Sequence, residues 1–378
     1  MHTMTQNAES PSLETLFLNG SPRCMGESFG KQKREAIHEL AEIRFHDAQK
    51  FCVDYGKQPW KEDDLWQLIR ECLTVAEAWD RDAYEEFLGI ARGADMEPER
   101  LFLMQGLTDL RDHMFFSGRA EAEGCSSFII DRERTKEGHV LIGQNWDLQT
   151  SNLDFILLVQ RRPTNAPETI SLTLAGCLSL IGMNSEGVAI GNTNLLTSDT
   201  RPGIHYLFLI HRVLRCKNIA EVTPVMESAP RIGGHYYYVA DASGRGVGFE
   251  CTARKVSLLH PEEGRLVHCN HILASDLQSL EVSLASDSTC FRQKRLDTLI
   301  ASQKASIQQD DLRCFLSDHE GGEANQAICR HHVPPDISTN ACVIMSPETR
   351  AFHACRSQAH VGRWSDLFFS VQDERWIS

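Results

Sequence analysis

A chain of 378 residues, 42% hydrophobic and 24% charged, is long enough to bury one large core or two moderate ones, and its composition excludes a disordered protein. Thirty-eight Lys and Arg against 52 Asp and Glu leave a formal charge of −14, which argues against nucleic acid and against an anionic membrane as partners. No apolar run reaches the roughly 18 residues of a membrane span, and the first 15 residues lack the basic and apolar regions of a signal peptide, so a cytoplasmic protein is expected.

The 13 cysteines are odd in number, spread from Cys24 to Cys355, and include no C-x-x-C pair. They read as reduced, mostly buried side chains.

From about Lys31 to Leu110 the period is helical. Leu65, Leu68, Ile69, Cys72, Val75, Ala76 and Trp79 recur at steps of three and four, and Pro98 suits the first turn of a further helix through Leu107. After Gly124 the pattern changes to short β-branched or aromatic runs: SSFIID, HVLIGQNWD, FILLVQRR and TISLTLAG. Hairpins are expected to turn at Asn184–Gly187, Ser243–Gly246 and Ser346–Thr349, the last being the final hairpin. Helices are expected at His205–Cys216, Ile219–Ser228, Cys290–Ile300 and Gln308–Leu316. This order suggests layered sheets covered by helices rather than alternating βαβ units.

The junction Glu121-Ala-Glu-Gly124-Cys125-Ser-Ser127-Phe carries the chemistry. A polar stretch ends in Gly-Cys where a strand begins. Glycine leaves its carbonyl unshielded, so the next thiol can attack it. If that bond breaks, Cys125 becomes an N-terminus whose α-amine, with a pKa of about 8, can take the thiol proton without a histidine. The simpler reading is a turn glycine before a buried thiol.

Along nearly its whole length the chain resembles the peptidase C45 group of N-terminal-nucleophile hydrolases, which includes isopenicillin N acyltransferases and N-β-alanyl-amine hydrolases. The resemblance is carried in order by Gly20-Ser-Pro-x-x-x-Gly26-x-x-x-Gly30, Tyr84-Glu-Glu-x-x-Gly89-Ile-Ala-x-Gly93-Ala, Gly124-Cys125-Ser-Ser, Gly143-Gln-Asn-Trp-Asp147, Gly182-Met-Asn-Ser-x-Gly187-Val-Ala and Val267-His-Cys-Asn270-His271.

It implies an α+β fold, a four-layer αββα sandwich, and self-cleavage between Gly124 and Cys125. Residues 1–124 would become a helical α chain and 125–378 the catalytic β chain, the two fragments remaining partners. It also implies Cys125 as nucleophile, Asp147 holding the new α-amine, Asn270 donating to the oxyanion, and Ser127 assisting self-cleavage. One carry-over fails: the Ser-Arg-Gly segment of the acyltransferases would fall at Ile337–Ala341, where no arginine stands.

Two chemistries share such a site. In one, a small-molecule N-acyl amine or N-acyl amino compound is hydrolysed; in the other, acyl-CoA donates the acyl group to an amine. The acidic balance and the lack of a phosphate-cradling glycine loop favour hydrolysis, with no cofactor. An uncleaved binding or thiol-sensing protein of the same fold is the third reading. His268, Cys269 and His271, with Cys329, His331 and His332, are metal-type residues, but their spacing fits no common zinc site, and no metal is expected. On Tyr236-Tyr-Tyr238, alternation gives one face to a pocket and the other to the core.

Overall fold

The computed structural model describes residues 12–55, 61–114, 124–282, 287–321, 324–333, 336–370 and 375–377. The polar approach Glu121–Glu123 lies outside them. In chain order the elements are β1 (Thr15–Gly20), α1 (Pro22–Gln32), α2 (Arg34–Tyr55), α3 (Glu62–Trp79), α4 (Arg81–Ala94) and α5 (Pro98–Met114). Next come β2 (Ser126–Ile130), β3 (Leu141–Gln149), β4 (Ile156–Pro163), β5 (Thr169–Leu174), β6 (Ile181–Asn184), β7 (Ala189–Leu195), α6 (Tyr206–Val213) and α7 (Ile219–Ser228). Then follow β8 (Gly234–Ala240), β9 (Gly246–Cys251), β10 (Val256–Leu259), β11 (Arg265–His268), α8 (Asp287–Ser302), α9 (Gln309–Leu316), β12 (Ile337–Ser346), β13 (Ala351–Arg356), β14 (Trp364–Ser370) and β15 (Arg375–Ile377).

Among the described residues these strands form two sheets, ordered β1-β4-β5-β6-β7-β8-β9-β10 and β11-β2-β3-β12-β13-β14-β15. The second sheet's β2 and β3 pack on β7 and β8 of the first, α1 and α6 cover the first sheet, and α8 and α9 cover the second. The order of layers is helix, sheet, sheet, helix. Because the central strands are covered on both faces, Ser126–Ile130 is buried at every position, its two serines included. Phe128 and Ile130 join Leu296, Ile300 and Leu312 in the core under α8 and α9. Ile129 lies in the larger core, which includes the inter-sheet space.

Two expectations change. Residues 1–124 are not helical throughout: β1 pairs in parallel with β4 and edges the first sheet. The β12–β13 hairpin is not the last, since β14 and β15 extend the second sheet beyond it.

The helical glycines have a packing role. A Cβ on Gly26 would lie 2.1 Å from the Glu86 carbonyl oxygen, and one on Gly30 2.3 Å from that of Ile90. Gly89 and Gly93 return the same constraint against Arg23 and Glu27. The two Gly-x-x-x-Gly runs therefore face each other, and α1 and α4 touch backbone to backbone. Beneath this crossing the Glu86 carboxylate is buried between Arg161 Nε at 2.7 Å and His211 Nε2 at 3.3 Å.

Candidate active site

Cys125 stands just before β2. The β2–β3 ladder pairs Ser126 with Asn145; carried two residues further, it sets Asp147 across from Gly124. Side chains alternate along a strand. Cys125 therefore shares the inter-sheet face with Ile129 and belongs to that core, where it is 8% exposed. Asn145 and Asp147 take the opposite face, and Asn145 Nδ2 donates to the Leu316 and Ile328 carbonyls there. The thiol and the Asp147 carboxylate thus leave the sheet on opposite sides, with the main chain of Gly124–Cys125 between them.

Two buried arginines complete this corner. Arg292, on α8, donates through Nη1 to the Cys125 carbonyl at 2.7 Å and to Ser126 Oγ at 3.0 Å, and through Nη2 to Asn270 Oδ1 at 3.1 Å. Arg330 points Nε at Asp147 Oδ2 across 3.5 Å and donates through Nη2 to Ser288 Oγ and the Asn325 carbonyl. Both guanidiniums lie against Gly124, where a Cβ would meet their nitrogens at 2.7–2.8 Å. That crowding is a physical reason for glycine at this position.

Asp147 is held by an irregularity in the sheet. Between Thr339 and Ala341 the β12–β3 register shifts, leaving Asn340 as an extra residue and Thr339 opposite Asp147. Thr339 Oγ1 donates to Asp147 Oδ1 at 2.7 Å and accepts from the Arg330 main-chain N–H at 3.0 Å. Among the described residues Asp147 Oδ2 has no hydrogen-bond donor. Burial pushes this carboxyl up to about 6, although Arg330, Arg292 and Thr339 all pull the other way.

Asn270 follows β11 on a loop anchored by Glu250, which accepts from His268 Nε2, Leu273 N and Ala274 N. Burial raises the Glu250 pKa, but these donors outweigh it and hold the carboxyl below its usual range. Arginine has no acceptor, so Asn270 Oδ1 must face Arg292. Its Nδ2 then donates one N–H to the Asn194 carbonyl at 3.1 Å and retains a second.

The structure thus brings Cys125, Asn270 and Ser126 together through Arg292, and Asp147 to Gly124 through Arg330. Ser127 turns elsewhere, its hydroxyl donating to the His268 carbonyl at 2.8 Å. Tyr236, Tyr237 and Tyr238 are all fully buried; Tyr236 stacks on His268 and Tyr238 donates to Gln144. All three rings are packed in the core. Surface cavities lined by Met25 and His211, by Phe17 and Trp376, and by His139 and His353 do not reach Cys125.

Residues 134–359 match the family model described as acyl-coenzyme A:6-aminopenicillanic acid acyl-transferase. The chain belongs to this family. Asp147, Asn270, Arg292 and Arg330 fall within the matched span, and Gly124–Cys125 lies outside it, before residue 134. Over 225 residues the chain is 28% identical to the acyl-coenzyme A:6-aminopenicillanic-acid-acyltransferase 40 kDa form of Emericella nidulans. That match spans 58% of this chain and 60% of the relative.

A variant of the conjugated bile acid hydrolase from Clostridium perfringens is similar at 14% identity, over 66% of this chain and 93% of its own, with a TM-score of 0.47. Penicillin V acylase from Agrobacterium tumefaciens is similar at 13% identity, over 65% and 86%, with a TM-score of 0.45. No arginine stands in Ile337–Ala341, the stretch that supplies Thr339; the arginine at this corner is Arg330, in the turn before β12. Sequence reading also missed Arg292, which sits in the charged run Phe291-Arg-Gln-Lys-Arg295 and looks like part of a solvated helix face.

Proposed function

We propose that the chain is a self-cleaving cysteine amidohydrolase acting on small N-acyl amines or N-acyl amino compounds. In maturation, Cys125 Sγ attacks the Gly124 carbonyl carbon, the Gly124–Cys125 C–N bond breaks, and the departing nitrogen takes the thiol proton. Water then cleaves the Gly124 thioester and regenerates the thiol. The new α-ammonium forms on the main chain between the thiol and Asp147.

One observation carries this reading: a buried carboxylate oxygen without a donor, across the ladder from Gly124. A carboxylate on the opposite face from the thiol is badly placed as the thiol's base and well placed for the amine. An ammonium there would supply the missing donor and be kept charged by Asp147. In turnover the thiolate attacks the substrate amide and the second Nδ2 hydrogen of Asn270 donates to the oxyanion, a contribution typically worth about 3 kcal/mol. The α-ammonium protonates the leaving amine, and water releases the acyl group.

Acyl transfer is the second reading, favoured by the relative from Emericella nidulans, whose name specifies acyl-coenzyme A. The two differ only in whether water or an amine takes the acyl group from Cys125.

N-terminal sequencing of the larger fragment should begin Cys-Ser-Ser-Phe, and Cys125→Ala should remain in one piece. Active protein with an intact Gly124–Cys125 bond would overturn the mechanism. Mass spectrometry with a panel of N-acyl amines and acyl-CoAs, with and without an amine acceptor, separates hydrolysis from transfer.

A further inference from the structure

The turn that carries Arg330 contains a second constellation. Cys329 and His331 flank that arginine, His319 follows α9, and His360 lies in the connection from β13 to β14. One ligand atom from each of the four lies within 4.8 Å of all the others. His319 Nε2 is 2.9 Å from His331 Nε2, and Cys329 Sγ is 3.7 Å from both His331 Nε2 and His360 Nδ1.

Zinc–nitrogen bonds of about 2.0–2.1 Å and a zinc–sulfur bond of about 2.3 Å put tetrahedral ligands about 3.3 Å apart for N and N, and about 3.6 Å for N and S. The observed separations bracket those values. Pairwise hydrogen bonds explain the arrangement less well: His331 Nε2 faces both the His319 nitrogen and the Cys329 sulfur, but has only one proton or one lone pair to offer. Convergence of several donors on one point is the arrangement a shared central ion needs. The nearby acids are engaged otherwise, since Arg295 pairs with Asp318 at 2.6 Å and Glu320 at 3.0 Å.

We propose that His319, Cys329, His331 and His360 bind one zinc(II) ion. One thiolate and three imidazoles form a closed set of four protein ligands, as in structural zinc sites. The buried Cys329 thiol, whose pKa burial pushes up, would be held as thiolate by the ion. The sequence pattern hides the site because Cys329 and His331 are separated by one residue, His319 stands ten residues before Cys329, and His360 comes from a different connection.

The ion would tie the α9–β12 connection to the β13–β14 connection on the outer side of the second sheet. Two of its ligands flank Arg330, so it would also fix the arginine that rests on Gly124 and Asp147. The proposal does not depend on Cys125 being a nucleophile.

The test uses the full chain purified without a histidine tag, loaded with zinc and dialysed, then assayed for metal. About one zinc per chain should be retained, and His319→Ala, an exposed position, should lose it. With cobalt(II) as probe, tetrahedral visible bands and a thiolate charge-transfer band should appear, and Cys329→Ser should abolish the latter. Wild-type protein that is folded by circular dichroism yet retains no zinc, and leaves cobalt with its aqueous spectrum, would overturn the proposal. So would zinc retained undiminished in the His319→Ala/Cys329→Ser double variant.

Discussion

Glu86 and Asp147 are both about 1% exposed, and each has an arginine beside it, yet their pKa values move in opposite directions. At Glu86 each oxygen has a close nitrogen partner, Arg161 or His211; burial raises its pKa, but these two more than reverse this and bring it to about 2. At Asp147 one oxygen has a hydroxyl, the other only a guanidinium nitrogen at 3.5 Å, and burial wins. A carboxylate with a close partner on each oxygen stiffens the fold. One left partly unanswered is ready for a further cation, and it stands beside the bond proposed to break.

The sharpest way to break this comparison is to remove each arginine. Arg161→Met leaves Glu86 buried without its main counter-charge and should cost about 3–5 kcal/mol in urea unfolding at neutral pH. Arg330→Met should cost clearly less, because Asp147 can take up a proton near pH 6 instead of remaining a bare anion. Its main effect should be slower self-cleavage. Equal losses of stability would show that the two carboxylates do the same work.

How much of this was legible from sequence depends on where the determining partner lies. Helices and strands with a strong period could be read because each carries its own pattern. β1, β10, β11, β14 and β15 are short or lie at or near sheet edges, and their pairing depends on partners that no local pattern reveals. At the site, Cys125 is marked by the Gly-Cys junction at the start of a strand, and Asp147 and Asn270 by motif resemblance. Arg292 and Arg330 are not marked, because a buried arginine is spelled like an exposed one until Gly124 and Asp147 fold against it.

The second prediction concerns pH. Asp147 has a folded pKa of about 6, above its ordinary value of 3.8, so between these values the folded chain holds a proton that the unfolded chain has lost. Stability from this group therefore falls as pH rises through that window. Asp147→Asn should match the wild-type precursor at pH 4 and exceed it at pH 7.5, by up to about 3 kcal/mol. Glu86 runs the other way: its folded pKa is depressed to about 2, so its contribution is present above about 4.5 and is lost as pH falls toward 2. Urea titrations of cleavage-blocked Cys125→Ala protein, with and without Asp147→Asn, check the sign. In mature protein the gain should vanish if the α-ammonium has joined Asp147.

Packing supplies a third and smaller contrast. At Gly26 an added methyl meets main chain that cannot move aside, so Gly26→Ala should cost about 1–3 kcal/mol and leave the cleavage rate of folded protein unchanged. At Gly124 the obstacles are side-chain ends. Gly124→Ala should therefore be milder in stability, and should act on maturation by displacing Arg292 and Arg330.

The smallest expected effects separate two adjacent serines. Ser126 Oγ accepts from Arg292 Nη1, the same nitrogen that donates to the Cys125 carbonyl, while Nη2 of that arginine fixes Asn270. Ser127 Oγ donates to the His268 carbonyl on the neighbouring strand, and motif resemblance gives it the part in self-cleavage. A hydrogen bond to a charged group is worth about 1.5–3 kcal/mol and a neutral one about 1 kcal/mol. If half of the charged bond is felt in the cleavage transition state, Ser126→Ala should slow maturation roughly threefold to tenfold. Ser127→Ala should lose about 1 kcal/mol of stability and cleave at close to the wild-type rate. Timed denaturing gels of freshly refolded variants measure both. A Ser127→Ala block with normal cleavage in Ser126→Ala would return the assisting role to Ser127 and reduce Arg292 to a support for the strand.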